Sequence, residues 1–184
     1  FVKRLLSRAY KPQHRGGKGI IGMVTRERDA VMLLAVADTH AHLLFFTNRG
    51  RVFRLKCYEI PESSRTGKGT AAVNLFPIAD EERVTAMVAL PDFSPDAFLL
   101  MATCRGEIKK TAADKFASVR SSGLIAMDLE EGDELVRACL ATDQDDVLFV
   151  TQKVQAIRFA VSELRATSRT SGGVRGIRLA PDDG

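Results

Sequence analysis

The stretch QHRGGKG, residues 13–19, brings together the residue types in this chain that are best suited to hold an anion. It places an amide, an imidazole, two cations and three glycines within seven residues. Glycine loses the most backbone entropy on ordering, so this density of glycine predicts a loop and not a helix or strand. Backbone amides without side-chain cover, beside Arg15 and Lys18, suit the oxygens of a phosphate backbone. A solvated basic surface loop is the alternative interpretation.

Patterns typical of covalent or metal chemistry are absent from the sequence. It contains no Walker A sequence, no Ser-His-Asp spacing and no cluster of metal ligands. His40 and His42 lie two residues apart on a strand-like run without a third ligand, which favours a place at the edge of a sheet over a metal site. The sequence therefore predicts no catalytic residue, no metal and no cofactor in this chain.

The length and composition fit a globular chain or a string of small repeats. Of the 184 residues 45% are hydrophobic, and no apolar run reaches the length of a membrane span. Cys57, Cys104 and Cys139 share no short ligand spacing and cannot all pair, so we expect a reducing, cytoplasmic setting and no membrane partner. Phe1 begins inside a strand-like stretch, and we expect the chain to be a fragment of a larger domain.

Cations and acids alternate in blocks along the chain, although the formal net charge is only +4. The windows 1–28, 49–69, 105–120 and 152–178 contain 25 of the 27 Lys and Arg residues but only 6 of the 23 acids. A basic block that recurs four times indicates a repeated anion-binding surface better than the net charge does.

The sequence repeats itself with a period of 50, then 56, then 49 residues. The markers are a threonine and a glycine about twenty residues after it: Thr47 and Gly67, Thr103 and Gly123, Thr151 and Gly172. In the first unit, Val2 aligns with Val52 and Gly17 with Gly67. The insertion PDFSPD, residues 91–96, accounts for the longer middle unit.

Each unit carries the signals of short strands. Phe53, Leu55 and Cys57 alternate with Arg54 and Lys56, and Ile157, Arg158 and Phe159 repeat that alternation. The apolar runs 30–37 and 84–90 have the length of buried strands, and LLFF, FLLMA and VLFVT begin at Leu43, Phe98 and Val147. Acidic turns such as ADEE and LEEGDE separate the strands. Three or four strands per unit predict an all-β, propeller-like array of blades, with an all-β sandwich as the alternative.

The motifs resemble the C-terminal, DNA-wrapping domain of the DNA gyrase A subunit, which belongs to a type IIA topoisomerase. Residues 13–19 match six of seven positions of that family's box, Q-[R/K]-R-G-G-[R/K]-G, and His14 stands where the family has Arg or Lys. The segments LLFFTNRGRVFRLKCYEIPESSRTGKG, MATCRGEIKKT, LEEGDEL and SGGVRGIRL are similar to successive blades of the same domain. The related subunit of topoisomerase IV has similar blades but a degenerate box, so the near-intact box favours gyrase.

The resemblance implies a β-pinwheel of four-stranded blades that exchange strands with their neighbours, incomplete in this chain. Blade one would span about residues 1–47, blade two 48–103 and blade three 104–151, with a partial blade four at 152–184.

The resemblance also implies a function. The family wraps double-stranded DNA for ATP-dependent negative supercoiling, within an A2B2 assembly in which two gyrase A subunits form a homodimer and two B subunits are the ATPases. Mg²⁺ and ATP would be used elsewhere in that holoenzyme. The cleavage tyrosine would lie outside this chain, because neither Tyr10 nor Tyr58 lies in a segment similar to the cleavage motif; both are interpreted as structural or DNA-facing.

The predicted DNA-binding residues comprise the box and the basic side of each blade. In the box they are Gln13, His14, Arg15, Gly16, Gly17, Lys18 and Gly19. In the blades they are Lys3, Arg4, Arg8, Lys11, Arg49, Arg51, Arg54, Lys56, Arg65, Lys68, Lys109, Lys110, Lys115, Arg120, Arg158, Arg165, Arg169, Arg175 and Arg178.

Two other functions remain open at this stage. A repeat scaffold that binds protein would present an aromatic-rich rim, whereas aromatic residues are only 7% of this chain. A topoisomerase IV-type accessory domain would bend DNA without constraining a supercoil.

Overall fold

The structure, a computed structural model, describes residues 1–23, 30–180 and 183. Within them the chain forms strands, loops and short 3-10 helices but no α-helix, which confirms the all-β prediction. The strands are β1 (His42–Thr47), β2 (Arg51–Lys56), β3 (Val84–Leu90), β4 (Phe98–Thr103), β5 (Glu107–Ala112), β6 (Leu124–Ile125), β7 (Leu135–Ala141), β8 (Asp146–Val150), β9 (Ala156–Ala160) and β10 (Val174–Arg175). The 3-10 helices are Ser7–Ala9, Cys57–Glu59, Ala72–Asn74, Ala113–Phe116 and Val161–Glu163.

Two four-stranded antiparallel sheets share one plan. Their strand orders are β3-β1-β2-β6 and β7-β4-β5-β10, and a further hairpin pairs β8 with β9. In each hairpin the strands join through a short turn, and Phe45 lies opposite Phe53 in the first. β3 and β7, the last strands on one side of the two sheets, pack against each other. We call the opposite side, formed by β6 and β10, the outer edge.

The outer-edge strands are exchanged between units, as the resemblance implied. β6 follows β5 in the chain but pairs with β2 of the preceding unit, and β10 pairs with β5 in the same way. Each sheet therefore combines strands from two successive units, and the predicted blade boundaries remain a division of the sequence. The fold is an incomplete β-pinwheel.

The apolar run 30–37 is not a strand, so that prediction is wrong. Val31, Met32 and Val36 are 58%, 83% and 88% exposed. The strands at this position in the next two units, β3 and β7, pair with strands that begin 42 and 37 residues earlier. No described residue pairs with the backbone of the run 30–37.

Strand β1 buries both of its faces, as expected of its continuous apolar run. Leu44 and Phe46 enter the core that lies between the two four-stranded sheets. Phe45 faces the other way, towards a second core in which Phe53 stacks on Phe76 with 4.8 Å between ring centroids. The hairpins are thereby fixed from both sides.

The acidic turns do more than separate strands. The buried Thr47 donates its hydroxyl to Oε1 of Glu82 at 2.6 Å, and Oε2 of Glu82 pairs with Arg51 at 2.8 Å. In the next unit Oδ1 of Asp133 accepts the Arg105 amide at 3.2 Å. The acids thus hold the hairpin turns of their own units. The recurrence of threonine and acid in each unit is the signal in the sequence that could have predicted this role.

Candidate nucleic-acid interface

Four chain reversals occupy the same position in the four sequence units. In each, the amide of the fourth residue donates to the carbonyl of the first, across 3.0 Å in residues 14–17, 64–67 and 120–123 and across 3.3 Å in residues 168–171. The box therefore belongs to a set of equivalent turns, which we call the repeat turns. The loop predicted from its glycine density is confirmed.

The box loop is closed by its own side chain. Oε1 of Gln13 accepts the amide of Gly19 at 2.9 Å, which joins the two ends of the stretch. Gly16 and Gly19 have φ values of +86° and +76°, a left-handed conformation that residues with a Cβ rarely adopt. Residues 13–19 are all exposed. The Gly17 and Gly19 amides are used within the loop, and Arg15, Lys18 and the other amides are presented to solvent on a loop of defined shape.

The repeat turns lie at the outer edge of the sheets. Leu124, just after the third turn, pairs with Val52 of β2. Val174 follows the fourth turn and pairs with Ile108 of β5. Thr70, after the second turn, bridges to Val2 in an equivalent way. Successive turns are therefore carried on the outer edges of successive units.

Eight of the predicted cations have exposed side chains that make no hydrogen bond or ion pair within the part of the chain that the structure describes. They are Arg8, Lys11, Arg15, Lys18, Arg120, Arg165, Arg175 and Arg178. A cation without a carboxylate partner can take up a phosphate without first breaking an ion pair. The end of the first basic window, residues 24–28, lies outside the described residues.

Several other predicted cations already have partners at the surface. Arg51 is paired with Glu82 as described above, and Arg49 donates to the Asp80 carbonyl at 2.8 Å, which places both beside an acidic turn. The rest of this group contact a carboxylate, a carbonyl or a ring: Arg4 with Glu62, Arg54 with Ala117, Lys56 with His40, Arg65 with Ile21, Lys68 with Phe1, Lys115 with Asp114, Arg158 with Asp146 and Arg169 with Ile125. Exposed ion pairs such as Lys115 with Asp114 and Arg158 with Asp146 contribute little and exchange readily, whereas the pair of Arg51 with the buried Glu82 is not of this kind.

Lys109 and Lys110 are interior residues, so the prediction that they lie on an accessible rim is wrong. Lys109 is 2% exposed and Lys110 5%. The Lys110 ammonium pairs with Asp143, donates to the Val161 carbonyl and lies 4.3 Å from the centre of the Phe98 ring. Lys3, although half-buried, also directs its ammonium to backbone carbonyls. The ammonium groups of these lysines are therefore occupied by partners within the domain.

His40, His42 and Tyr58 lie near the start of β1 and the end of β2, within the described residues. No group of three potential metal ligands occurs there. Burial, followed by repulsion from Lys56 and Arg54, lowers the pKa of His42, whose Nε2 lies 2.9 Å from the Lys56 ammonium. Tyr58 meets His40 edge-on at 5.8 Å and is half exposed. No described helix has the length and apolar character needed to cross a bilayer.

Comparison with known proteins identifies relatives along the whole chain. A profile of the family described as "DNA gyrase C-terminal domain, beta-propeller" matches residues 1–38, 41–91, 97–138 and 145–184. The DNA gyrase A subunit of Dehalogenimonas lykanthroporepellens is 48% identical over all 184 residues, and that of Staphylococcus aureus strain MRSA252 is 44% identical. The chain spans 23% and 21% of these two relatives.

Solved structures with the same arrangement come from two related enzymes. A DNA gyrase A C-terminal domain superposes with a TM-score of 0.81 at 27% identity, over 100% of this chain and 59% of that one. A DNA topoisomerase IV C-terminal domain gives a TM-score of 0.77 at 25% identity, over 88% of this chain and 50% of that one. Since the family profile covers most of the chain and the fold agrees, this chain belongs to the family of DNA gyrase C-terminal β-propeller domains.

Proposed function

We propose that this domain binds duplex DNA along its outer edge and wraps it, as the DNA-wrapping part of a gyrase. The observation that carries the proposal is the set of exposed, unpaired cations on and around the repeat turns, with the closed box loop as one of those turns. Phosphates need donors and positive charge, and both are concentrated there.

The binding energy would come from counterion release. Each cation that neutralises a phosphate releases condensed counterions, so affinity falls steeply with salt and carries no base information. Bending a short duplex by tens of degrees costs on the order of several kcal/mol, which added contacts on successive turns offset. Turns carried at unit intervals on the outer edge provide such contacts along a bent path.

The box loop would hold the end of the wrapped segment. Arg15 and Lys18 supply charge, and the amides of Gly16 and Lys18 supply donors that need no side-chain rearrangement. The remainder of the gyrase A subunit and the ATPase partner would use the wrapped segment for strand passage, with ATP and Mg²⁺ bound in those parts. This chain would contribute no catalytic residue.

The test uses the intact gyrase A subunit that carries this domain, together with its ATPase partner on relaxed plasmid. The variant Arg15→Ala/Lys18→Ala removes the box cations and keeps Gln13 and the glycines. We expect it to lose most ATP-dependent negative supercoiling, to retain cleavage and relaxation, and to bind DNA with a salt slope lower by about 2.

Arg137→Ala is the matched control. Arg137 is an exposed cation on β7, away from the outer edge and outside the basic windows, and its replacement should leave supercoiling and the salt slope unchanged. Equal supercoiling by the box variant and the control would refute the role of the loop. A wild type that only relaxes or decatenates DNA would support a topoisomerase IV-type domain and refute the gyrase proposal.

A further inference from the structure

One sequence position connects each unit to the repeat turn of the next. Val2, Val52 and Ile108 pair with the outer-edge segment of the following unit. The residues that come directly after them are Lys3, Phe53 and Lys109. All three contact the repeat turn of the following unit.

Lys109 contacts the turn of residues 168–171. Its ammonium donates to the carbonyls of Arg169 at 2.6 Å and Ser171 at 2.7 Å, and to that of Ala126 at 2.9 Å. Arg169 and Ser171 lie 60 and 62 residues after Lys109 in the sequence. All three N–H donors of the ammonium are therefore used, and no described carboxylate takes part.

Lys3 makes the same kind of contact with the repeat turn that lies one unit after the box loop. Its ammonium donates to the carbonyls of Arg65 at 2.6 Å, Gly67 at 2.8 Å and Ser64 at 3.2 Å, all in the turn of residues 64–67. Two lysines that are 106 residues apart thus collect the same kind of ligand from equivalent turns, which makes a chance contact an inadequate explanation.

Phe53 occupies the position in the second unit and contacts its turn by packing. The ring is fully buried, and a Cβ added to Gly123 would lie 2.6 Å from Phe53 Cε1. Gly123 ends the turn of residues 120–123 with a φ of +79°. The aromatic ring therefore supports this turn, where the other two units use an ammonium.

We propose that Lys3 and Lys109 are positioning residues, which set the repeat turn of the next unit at the place and angle from which its arginine contacts DNA. They act on Arg65 and Arg169 through the turn backbone and do not contact phosphate. The spacing between successive phosphate contacts is then set by the preceding unit, so that a bend in the DNA path is built into the exchange between units.

Electrostatics fits this role. Burial lowers the pKa of Lys109 to about 8, and the nearby Arg169 adds to the effect while Asp128 opposes it. Burial also lowers the pKa of Lys3, with Arg65 as the second cause. In both units the arginine on the turn is close enough to the ammonium to repel it. The ammonium binds the carbonyls of the turn, and the arginine side chain donates elsewhere, Arg65 to the Ile21 carbonyl and Arg169 to the Ile125 carbonyl. Because its three donors are taken by backbone carbonyls, neither ammonium has a donor left for a phosphate.

A double-mutant cycle tests the proposal in the intact gyrase A subunit. DNA affinity for a mixed-sequence linear duplex is measured for Lys109→Met, Arg169→Ala and the double variant. Arg120→Ala, on the turn that Phe53 supports, replaces Arg169→Ala in the control cycle. Met preserves the length and apolar stem of lysine and removes its donors.

If Lys109 acts through the turn, Arg169→Ala weakens binding about five- to tenfold near 0.1 M salt in the wild-type background and less than about twofold in the Lys109→Met background. Arg120→Ala should weaken binding by the same factor in both backgrounds. Equal effects of Arg169→Ala in both backgrounds would overturn the proposal, as would coupling of Lys109 to Arg120 of the same size.

A second cycle covers the case in which Lys109→Met does not fold. Lys3 is only half-buried, so Lys3→Met removes a less enclosed group, and it is combined with Arg65→Ala. Additive effects there overturn the proposal as well. Lys109→Phe, which copies the residue of the second unit, should restore part of the affinity that Lys109→Met loses.

The inference rests on the proposed DNA-wrapping function, and the two fail differently. If the wild type does not bind and wrap the duplex, or if the box cations make no difference, the proposed function fails. If the wild type wraps DNA and the cycles are additive, only the positioning role fails.

Discussion

The buried ammonium of Lys109 makes the stability of this domain rise with pH, whereas a lysine paired with a carboxylate at the surface makes stability fall as pH rises. The pKa of Lys109 is about 8 in the folded protein, against 10.5 for a free lysine. Between these values the unfolded chain holds a proton that the folded chain has released. Because the unfolded state binds more protons there, the free energy of unfolding rises with pH across this window.

The size of the effect follows from the difference between the two pKa values. A shift of about 2.5 units corresponds to about 3 kcal/mol at most, of which about 2 kcal/mol is gained between pH 7.5 and 9.5. Since the side chain is 2% exposed, solvent screening does not reduce the figure much. Lys109→Met has no such proton, so its stability should lack this rise.

The measurement is urea unfolding of the intact gyrase A subunit, carried out at pH 7.5 and 9.5. Unfolding of the domain is followed with a short deuterium pulse at one fixed pH and mass spectrometry of the peptide that contains β5. Lys3, whose pKa is also lowered, contributes equally to wild type and variant and cancels in the comparison.

We expect the wild type to gain about 2 kcal/mol on the variant as pH rises between these two values. If the free energy of unfolding of the wild type minus that of Lys109→Met is the same at both pH values, the Lys109 ammonium is hydrated and not enclosed by the three carbonyls. If the wild type instead loses stability relative to Lys109→Met as the pH rises, the carbonyls stabilise the charge more than water does, which would refute the reasoning.

Two further predictions concern contacts that hold the hairpins and turns. Gly123→Ala should destabilise the domain by about 2–4 kcal/mol, because it combines a left-handed residue with a Cβ only 2.6 Å from Phe53, whereas Gly16→Ala, with a similar φ but nothing within 4 Å, should cost about 1 kcal/mol. Comparable losses in urea midpoint for the two variants would contradict this. Glu82→Gln should cost about 2–3 kcal/mol, because Oε1 and Oε2 of the fully buried carboxylate accept from Thr47, Arg51 and the Ala79 amide. Glu134→Gln, which weakens an exposed pair with Arg83, should cost less than about 1 kcal/mol, and a larger loss there than at Glu82 would refute the ranking.

The hairpins could be predicted from the sequence because their signals are local. The alternation around Phe53 and the recurring Thr-x-Arg-Gly turns at Thr47 and Thr103 identify a strand, a turn and a second strand within a dozen residues. The outer-edge strands β6 and β10 contain two residues each, which is too short for any alternation to show. Their pairing with the preceding unit is set by tertiary contacts, and only the resemblance implied it.

The run 30–37 shows the limit of a hydrophobic pattern. Its composition is that of β3, yet β3 is a strand because β1 lies beside it and satisfies its backbone groups. A strand is a property of two segments, so the same pattern gives a strand in one unit and an exposed segment in another.

The placement of Lys109 could have been read from the repeat if residues had been compared position by position. Its equivalents are Lys3, Phe53 and Ile157, so two of the four units place an apolar residue at this position. The fully buried Phe53 shows that the position can face the core, whereas Ile157 is 40% exposed. Counting charges within a basic block cannot make this distinction, because it treats a buried ammonium and a hydrated one alike. Under the proposed function the two would have different tasks: exposed cations such as Arg120 would supply affinity for DNA, whereas enclosed ones such as Lys109 would fix where that affinity is supplied. The basic blocks of this chain therefore do not by themselves separate an exposed cation such as Arg120 from a buried one such as Lys109.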